Sequence, residues 1–547
     1  MWSKSILLAI LLNPSGHDQH YTYKAVCVID EKPQIVDGFD CRHMVAVGRF
    51  KNAINLTGWS YLEIETKAGF DPELQAYAAG ILEGVLSRQV LSFNIYNTQT
   101  GYCDGYKKYC KRLNAYLQQN LAWIRENIEK ADPNDVYWQA VKRTFYQLTG
   151  LWDGYRDASF NPNISYELHP IMLTNILAGE TYELEKKFNR TKDLMSNEGK
   201  CSGFVKITPG NKDLLISQVT MSGLEHLLRV LKLYKFGYDS KQFPGHTATF
   251  SSYPGLLYSS DDFVLTSAGL AGIETTMNLF KTELYDKIEA KNQLQCWIRA
   301  IVANQLAKTG KEWCQIFEKF NSGTYNNQWT ILDYKLFTPG KEIPNEGLLY
   351  VLEQMPGYIN YKDMTSYLKN YSYFASYNIP FFKKTSELSG WDKKAQELYW
   401  FSWKDCPRAK IFARDNGQVV DINSLTKLMR YNDYTHEVFS KCNCTPPYTA
   451  EAAISARGDL NLINGTYQLP GMGHQNHAAL DYKGTNYDMF KQFRFRAWSG
   501  PTYDQVPVFK WSESDFAKTV KHIGHPDVWN FTWVEYKWET DNIRLDL

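Results

Sequence analysis

No stretch of this chain approaches the ~20 consecutive apolar residues that a membrane-crossing helix needs, so a spanning segment is not expected. Charge of one sign is lacking too. Sixty basic side chains face 59 acidic ones, and the resulting net charge of +1 gives no electrostatic reason to expect nucleic acid or an anionic membrane surface as a partner. The G-x-S-x-G elbow, the P-loop and the H-E-x-x-H motif are all missing, which removes the commonest local signatures of serine hydrolases, nucleotide-triphosphate enzymes and zinc proteases. There is no repeat and no low-complexity tract. Cysteine is sparse, ten in 547 residues. That is too few for a disulfide-dense scaffold, and most are expected to be buried thiols.

What is present is apolar and aromatic. Hydrophobic residues make up 44% and aromatics 15%, with 37 Tyr and 16 Trp, enough for a large aromatic core. The length exceeds what one core usually organises. Met1–Leu12 joins a thin basic start to a short apolar run, and Asn13-Pro14-Ser15-Gly16 breaks it. The pattern is that of a secretory leader over residues 1–16. Seven N-x-S/T sequons, at Asn55, Asn163, Asn189, Asn370, Asn443, Asn464 and Asn530, point the same way, to a glycosylated, exported product. Cys103 and Cys110 flank an Asp104-Gly105 turn and are the best local disulfide candidates. Cys442 and Cys444 are a second candidate pair, although with one residue between them a bridge is expected to be strained.

Tyr21–Gly69 reads as strand-rich, with Tyr61–Glu65 alternating as a half-buried strand does. From Asp71 to about Tyr155 the pattern is helical, and Leu113, Leu117, Leu121, Ile124 and Ile128 mark one buried face. Glu183–Lys200 is polar, charged and carries a sequon, the composition of an exposed connector. Residues 17–182 and 201–547 are the two parts it joins. Beyond it, Phe204–Ile207 and Leu214–Thr220 read as strands around a Pro209-Gly210 turn. Ser222-Gly223-Leu224-Glu225 then has the spacing of a capping box, so a helix burying Leu224, Leu227, Leu228 and Leu231 is expected.

The candidate for chemistry is Cys201, at the end of the connector. A thiol reacts as its thiolate, and a free cysteine titrates near ~8.5. A chain cut before Cys201 would gain an α-amino group of pKa about 7.7–8.0 in the same residue as the sulfur, a base that needs no histidine. By itself a cysteine after a connector is more often a core residue. His474 and His477 sit three positions apart in a glycine-rich loop, which is weak support for a metal; His169 and His226 read as ordinary helix or loop histidines. Neither a metal nor another cofactor is expected.

Longer runs carry a resemblance. Phe250–Gly255, Phe320–Trp329, Ala375–Pro380, Pro407–Phe412, Leu428–Asp433, Ala453–Leu460 and Gly500–Gln505 are similar to segments of the phospholipase B-like family, lysosomal or secreted glycoproteins with an N-terminal-nucleophile (Ntn) hydrolase fold. The resemblance implies an α+β protein with a four-layer α-β-β-α sandwich. It also implies self-cleavage at Lys200–Cys201, with loss or loosening of residues 183–200 and continued association of the two fragments. Residue by residue, Cys201 matches the nucleophile, Asn378 the oxyanion donor, Arg408 an arginine lining the site and Thr276 a threonine beside the nucleophile. The implied substrate is a phospholipid or another acylated small molecule, cleaved at an ester or an amide, in a secreted or lysosomal setting.

One run departs from the family pattern. Gln218 stands where a histidine is common and Met221 where a tryptophan is; Cys442–Cys444 is also tighter than the family's cysteine pair. Glutamine keeps a hydrogen bond but exchanges no proton. Near pH ~5 an unshifted α-amine is free base about once in several hundred, where a histidine is the better base. Gln218 and Met221 therefore favour a second reading, an impaired or non-enzymatic lipid-binding glycoprotein of the same fold. Retained Cys201, Asn378 and Arg408 favour the enzyme.

Overall fold

The computed structural model describes residues 20–190 and 201–539; the leader expected at 1–16 and residues 191–200 lie outside them. The protein is α+β, with two sheets and helices. Its strands, in chain order, are β1 (Thr22–Ile29), β2 (Lys32–Asp37), β3 (Met44–Ala53), β4 (Trp59–Thr66), β5 (Cys201–Ile207), β6 (Leu214–Ser222), β7 (Arg229–Lys235), β8 (Thr247–Ser252) and β9 (Phe263–Thr266). They continue as β10 (Leu270–Thr276), β11 (Asn327–Asp333), β12 (Leu349–Met355), β13 (Tyr358–Asp363), β14 (Tyr373–Ser376), β15 (Ala478–Ala479), β16 (Asp481–Thr485), β17 (Arg496–Ser499) and β18 (Val534–Glu535). The first sheet runs β13-β12-β11-β10-β9-β8-β7-β4-β3-β1-β2, and the second β14-β5-β6-β16-β17-β18, with β15 also on β6. The described pairings are antiparallel except β4 with β7, which run parallel from Trp59↔Arg229 to Glu65↔Lys235.

Residues of alternating parity on each strand enter different cores, as the two-residue period of a strand requires. On β7, Leu231 and Leu233 share a core with Val205, Ile207, Leu214 and Ile216 of the second sheet. Val230 and Tyr234 instead join Tyr77, Ile81 and Leu82 of helix α1 (Pro72–Leu86). On β5 and β6, Phe204, Leu215 and Val219 turn the other way, onto helices α2 (Pro407–Asp415) and α3 (Ile422–Met429). Both sheets are therefore buried on two faces. Cys201 has the parity of Val205 and Ile207, so its side chain lies between the sheets.

The α1 helix is started by Asp71, whose carboxylate accepts from the N–H groups of Glu73 and Leu74 ahead of Pro72. It crosses the helix Val136–Arg156 backbone to backbone. A Cβ on Gly80 would lie 2.0 Å from the carbonyl oxygen of Gln147, and one on Gly150 2.0 Å from that of Tyr77, so only a hydrogen fits at either crossing point. The helix Lys107–Lys130 buries Leu113, Leu117, Leu121, Ile124 and Ile128 as the stripe predicts.

Three expectations are corrected. The helix after Ser222 is a single 3₁₀ turn, Leu224–His226, followed by β7. The Glu225 carboxylate accepts from Asn476 Nδ2 at 2.7 Å instead of closing a capping box. Leu228 leads into β7, which buries Leu231 and Leu233 on one face and Val230 and Tyr234 on the other, a run of apolar residues that a short helix shares. The exposed connector does not begin at Glu183. Thr181–Lys187 is helical and Glu183 is buried; its carboxylate accepts from the backbone N–H groups of Tyr325 (2.7 Å) and Asn326 (3.2 Å). Most cysteines are also not thiols. Cys103–Cys110 and Cys442–Cys444 are bridged, and so is Cys27–Cys41, which leaves Cys201, Cys296, Cys314 and Cys406 free.

The glycine crossing yields a direct test. Gly150→Ala overpacks it and is expected to destabilise by about 1–3 kcal/mol or more, read as a lower melting temperature. Gly417→Ala, with open space around the added methyl, should leave the melting temperature unchanged. Equal behaviour of the two variants would refute the close approach.

Candidate functional site

Cys201 opens β5 and is 2% exposed. Its strand partner on β6 is Thr220, and Gly203 pairs with Gln218, which puts Cys201, Thr220 and Gln218 on one face, toward β10. From β10 comes Glu274, whose Oε1 lies 4.0 Å from the sulfur. The Cys201 sulfur faces a cavity of about 430 Å³, also lined by Thr276, Tyr253, Tyr325, His226 and His477.

Arg408, near the start of α2, fixes the backbone around the sulfur. Its Nη1 donates to the carbonyl of Cys201 at 2.6 Å and its Nη2 to that of Tyr377 at 2.8 Å. The guanidinium thus ties β5 to the segment leaving β14. The next residue there, Asn378, adopts a left-handed backbone, φ 71°, a conformation asparagine tolerates better than most residues. Its backbone N–H donates to Thr275 Oγ1 (3.2 Å) and its Nδ2 to the carbonyl of Thr276 (2.7 Å). An amide nitrogen carries two hydrogens, so the bond to Thr276 leaves one. Asn378 and Arg408 line a second cavity, of about 40 Å³, and Met221 lines both cavities.

Four predicted residues, Cys201, Thr276, Asn378 and Arg408, are therefore brought together. Gln218 reaches the site indirectly. Its Nε2 donates to the carbonyl of Glu274 at 3.4 Å and its Oε1 accepts from Thr220 Oγ1 at 3.1 Å, so both ends of the amide are used. Thr220 Oγ1 in turn accepts from Lys483 Nζ at 2.7 Å. Lys483 belongs to a fully buried quartet: it pairs with Asp481 (2.7 Å), Arg229 pairs with Asp481 (2.9 Å), and Arg229 also pairs with Asp261. Arg229 comes from the first sheet and Asp481 from the second, so this pair crosses between them.

Beneath the sulfur lies a carboxyl pair. The Tyr325 hydroxyl is within hydrogen-bond reach of Ser260 O (2.7 Å), Asp262 Oδ2 (3.1 Å) and Glu274 Oε1 (3.1 Å). One hydroxyl hydrogen cannot serve three acceptors, so a proton resides on the carboxyl pair. Burial pushes Asp262 up to about 7, against the lowering effect of Tyr325, Glu274 and Lys483. Burial likewise holds the Cys201 thiol well above its ordinary value, and the Glu274 carboxylate adds to it; the Lys483 ammonium and the backbone N–H of Met221 act the other way. Lys483 itself is lowered to about 8, chiefly by burial. In this arrangement the sulfur is a protonated thiol.

Glu274, Asp262, Lys483, Asp481 and Arg229 carry no local motif and are not singled out by the sequence. Tyr253 and Tyr325 do fall within the runs Phe250–Gly255 and Phe320–Trp329 that carry the resemblance, a signal of family without a role attached. Among the described residues no group of three or more His, Cys, Asp or Glu side chains is placed to hold a metal ion, and no helix is long and apolar enough to cross a membrane.

The fold and site define a mixed α+β protein whose buried cysteine thiol opens a strand at the wall of a polar cavity. A family model described as Phospholipase B matches residues 46–536, and the chain belongs to that family. The phospholipase B-like 2 protein of Caenorhabditis elegans is 56% identical over 542 residues, covering 98% of this chain and 93% of the relative. The phospholipase B-like 2 protein of Homo sapiens is 40% identical over 520 residues, covering 92% and 87%. The phospholipase B-like protein B of Dictyostelium discoideum is 32% identical over 505 residues, covering 90% and 85%.

The raised Asp262 links the site to stability. An ordinary Asp titrates near ~3.9 when unfolded, so the folded state keeps this proton to higher pH. The contribution is complete below about 4 and is lost as pH rises through about 7. Moving from pH ~7.5 to ~5 should therefore raise the melting temperature more in the wild type than in Asp262→Asn, whose amide does not titrate. Identical pH dependence in the two proteins would contradict the assignment.

Proposed function

We propose that this protein is a phospholipase B-like acyl hydrolase of the Ntn type, with Cys201 as its nucleophile once the chain is opened at Lys200–Cys201. The observation that carries this reading is the position of Cys201: first residue of a buried strand, sulfur on a cavity wall, carbonyl held by Arg408. Lys200 lies outside the described residues. The four-layer α-β-β-α arrangement is supported by the shared core between the sheets and the helix-facing cores on their outer sides.

In the opened chain the α-amine of Cys201 takes the thiol proton and the sulfur attacks the acyl carbon. The free hydrogen of Asn378 Nδ2 is suited to the developing oxyanion. Collapse expels the alcohol or amine and leaves a thioester, and water then releases the acid and restores the thiol. Burial holds the thiol of the closed chain protonated, and opening supplies the base it lacks. Gln218, with both ends of its amide engaged, fits a structural role better than that of a damaged base, which supports the enzyme over the non-enzymatic reading.

The names of the relatives support phospholipid acyl groups as substrate; the same chemistry serves amides. Secreted or lysosomal residence is supported by three disulfides and by the exposure of all seven sequon asparagines, Asn55, Asn163, Asn189, Asn370, Asn443, Asn464 and Asn530. Association of the two fragments is supported by the β4–β7 ladder, which joins strands from either side of the cut.

Intact-mass and N-terminal analysis of the purified protein tests the reading. Wild type held at acidic pH should yield a fragment beginning at Cys201, and Cys201→Ala should stay whole; an uncleaved wild type would sink the model. In the processed enzyme, Asn378→Ala should lower kcat by roughly 10²–10³ without a comparable loss of melting temperature.

A further inference from the structure

The loop His474–His477 is held tightly except at one atom. His474 is satisfied at both ring nitrogens, by the carbonyl of Asn461 and by Asp515, each at 2.9 Å. Gln475 donates to the carbonyl of Gly471, and Asn476 bonds Glu225 and the backbone N–H of Leu224. His477 differs. Its Nδ1 lies 2.9 Å from both carboxylate oxygens of Glu451, while its Nε2 is buried and has no hydrogen-bond partner among the described residues. The two side chains are 12% and 5% exposed.

Glu451 is seated because residue 458 is a glycine. A Cβ there would lie 2.1 Å from Glu451 Oε1, and the backbone N–H of Gly458 also donates to the carbonyl of His477 at 2.9 Å. A carboxylate only accepts, so Nδ1 carries a hydrogen and Nε2 is the nitrogen that exchanges a proton.

Each member of the pair lines a cavity of the site. His477 lines the cavity that holds the Cys201 sulfur, and Glu451 lines the smaller cavity with Asn378 and Arg408. The pair thus runs from one cavity into the other beside Met221, which lines both. Gln218 moves no proton, and the α-amine carries one proton at a time. It can pass the thiol proton on to the leaving group, as the single imidazole of a serine triad does, but a second carrier at the cavity wall lets both transfers occur without moving the α-ammonium between the sulfur and the leaving atom. An imidazole oriented by a carboxylate is suited to that task.

We infer that His477, oriented by Glu451, is the acid that protonates the leaving group in the acyl transfer proposed above for Cys201, a reading on which this inference rests. In acylation the thiol proton passes to the α-amine, and the S–C bond forms. The C–O or C–N bond breaks, and its electron pair takes the proton from Nε2. The products are the thioester, an α-ammonium, a neutral imidazole and the free alcohol or amine. In deacylation Nε2 takes a proton from the attacking water, the C–S bond breaks, and the departing sulfur takes the proton of the α-ammonium. The acid is released and every group returns to its starting state.

The test compares leaving groups, with para-nitrophenyl butyrate and ethyl butyrate as probes. Nitrophenolate departs without a proton; ethanol does not. In the full-length processed protein, His477→Gln should lower kcat/KM for the ethyl ester by roughly 10²–10⁴-fold, and for the nitrophenyl ester by at least about tenfold less. Glu451→Gln should show the same selectivity with a smaller loss. N-terminal analysis and melting temperature are read on each variant; if His477→Gln fails to fold, His477→Asn and Glu451→Gln carry the comparison. Equal losses on both esters, or no loss on either, would overturn the assignment. If Cys201→Ala hydrolyses both esters as the wild type does, the thiol reading fails, and this inference falls with it.

Discussion

The ion pair between Arg229 and Asp481 joins the two sheets, and the geometry around Cys201 depends on it. Arg229 begins β7 in the first sheet and Asp481 begins β16 in the second, and neither side chain is exposed. Such a pair adds little net stability, because desolvation offsets most of the attraction, but a buried charge that loses its partner is costly. A slip of one sheet over the other would break the crossing contacts Arg229–Asp481 and Lys483–Asp261, leaving each buried charge with only its partner on the same side, Arg229 with Asp261 and Lys483 with Asp481. The same quartet reaches the sulfur. Lys483 bonds Thr220, Thr220 is the strand partner of Cys201, and Asp481 also accepts from the backbone N–H of Thr220 at 3.2 Å. Register and chemistry are thus set by one group of charges.

Where periodicity had a single interpretation, the fold was legible. The stripe from Leu113 to Ile128 and the strands on either side of Pro209 are where the residue pattern puts them. It misled where two structures share a pattern. Leu224–Leu231 satisfies one helix by spacing, but only Leu224–His226 turns, as a 3₁₀ helix, and from Arg229 the chain is a strand buried on both faces; the packing of both sheets decides it. Glu183 was misread for another reason: a buried carboxylate looks like any other until the N–H groups that satisfy it, on Tyr325 and Asn326, are known to arrive from far along the chain.

The site was legible through resemblance and not through spacing. Cys201, Thr276, Asn378 and Arg408 stand on four separate segments, and no local motif connects them. The carboxyl pair of Asp262 and Glu274, the Tyr325 hydroxyl and the lysine at 483 complete the surroundings of the sulfur, and each alone has the sequence context of an ordinary core or strand residue. Gln218 is the instructive case. Read in the sequence it is a missing histidine. In the fold it is one link between the Glu274 backbone and Thr220, and its inability to carry a proton bears on the site only if no other group does so.

The parallel pairing of β4 with β7 has a consequence for the molecularity of folding. Seven residues of a strand that precedes position 190 are hydrogen-bonded to seven that follow position 201, in the middle of the larger sheet. A chain broken between those positions has no covalent link to enforce that ladder, except through what the native packing preserves, since the three disulfides each close within one side of the break. Folding, which is a unimolecular search in the intact chain, becomes a second-order encounter in the broken one. Dilution then penalises recovery, and the broken protein endures by how slowly it unfolds and not by how readily it refolds.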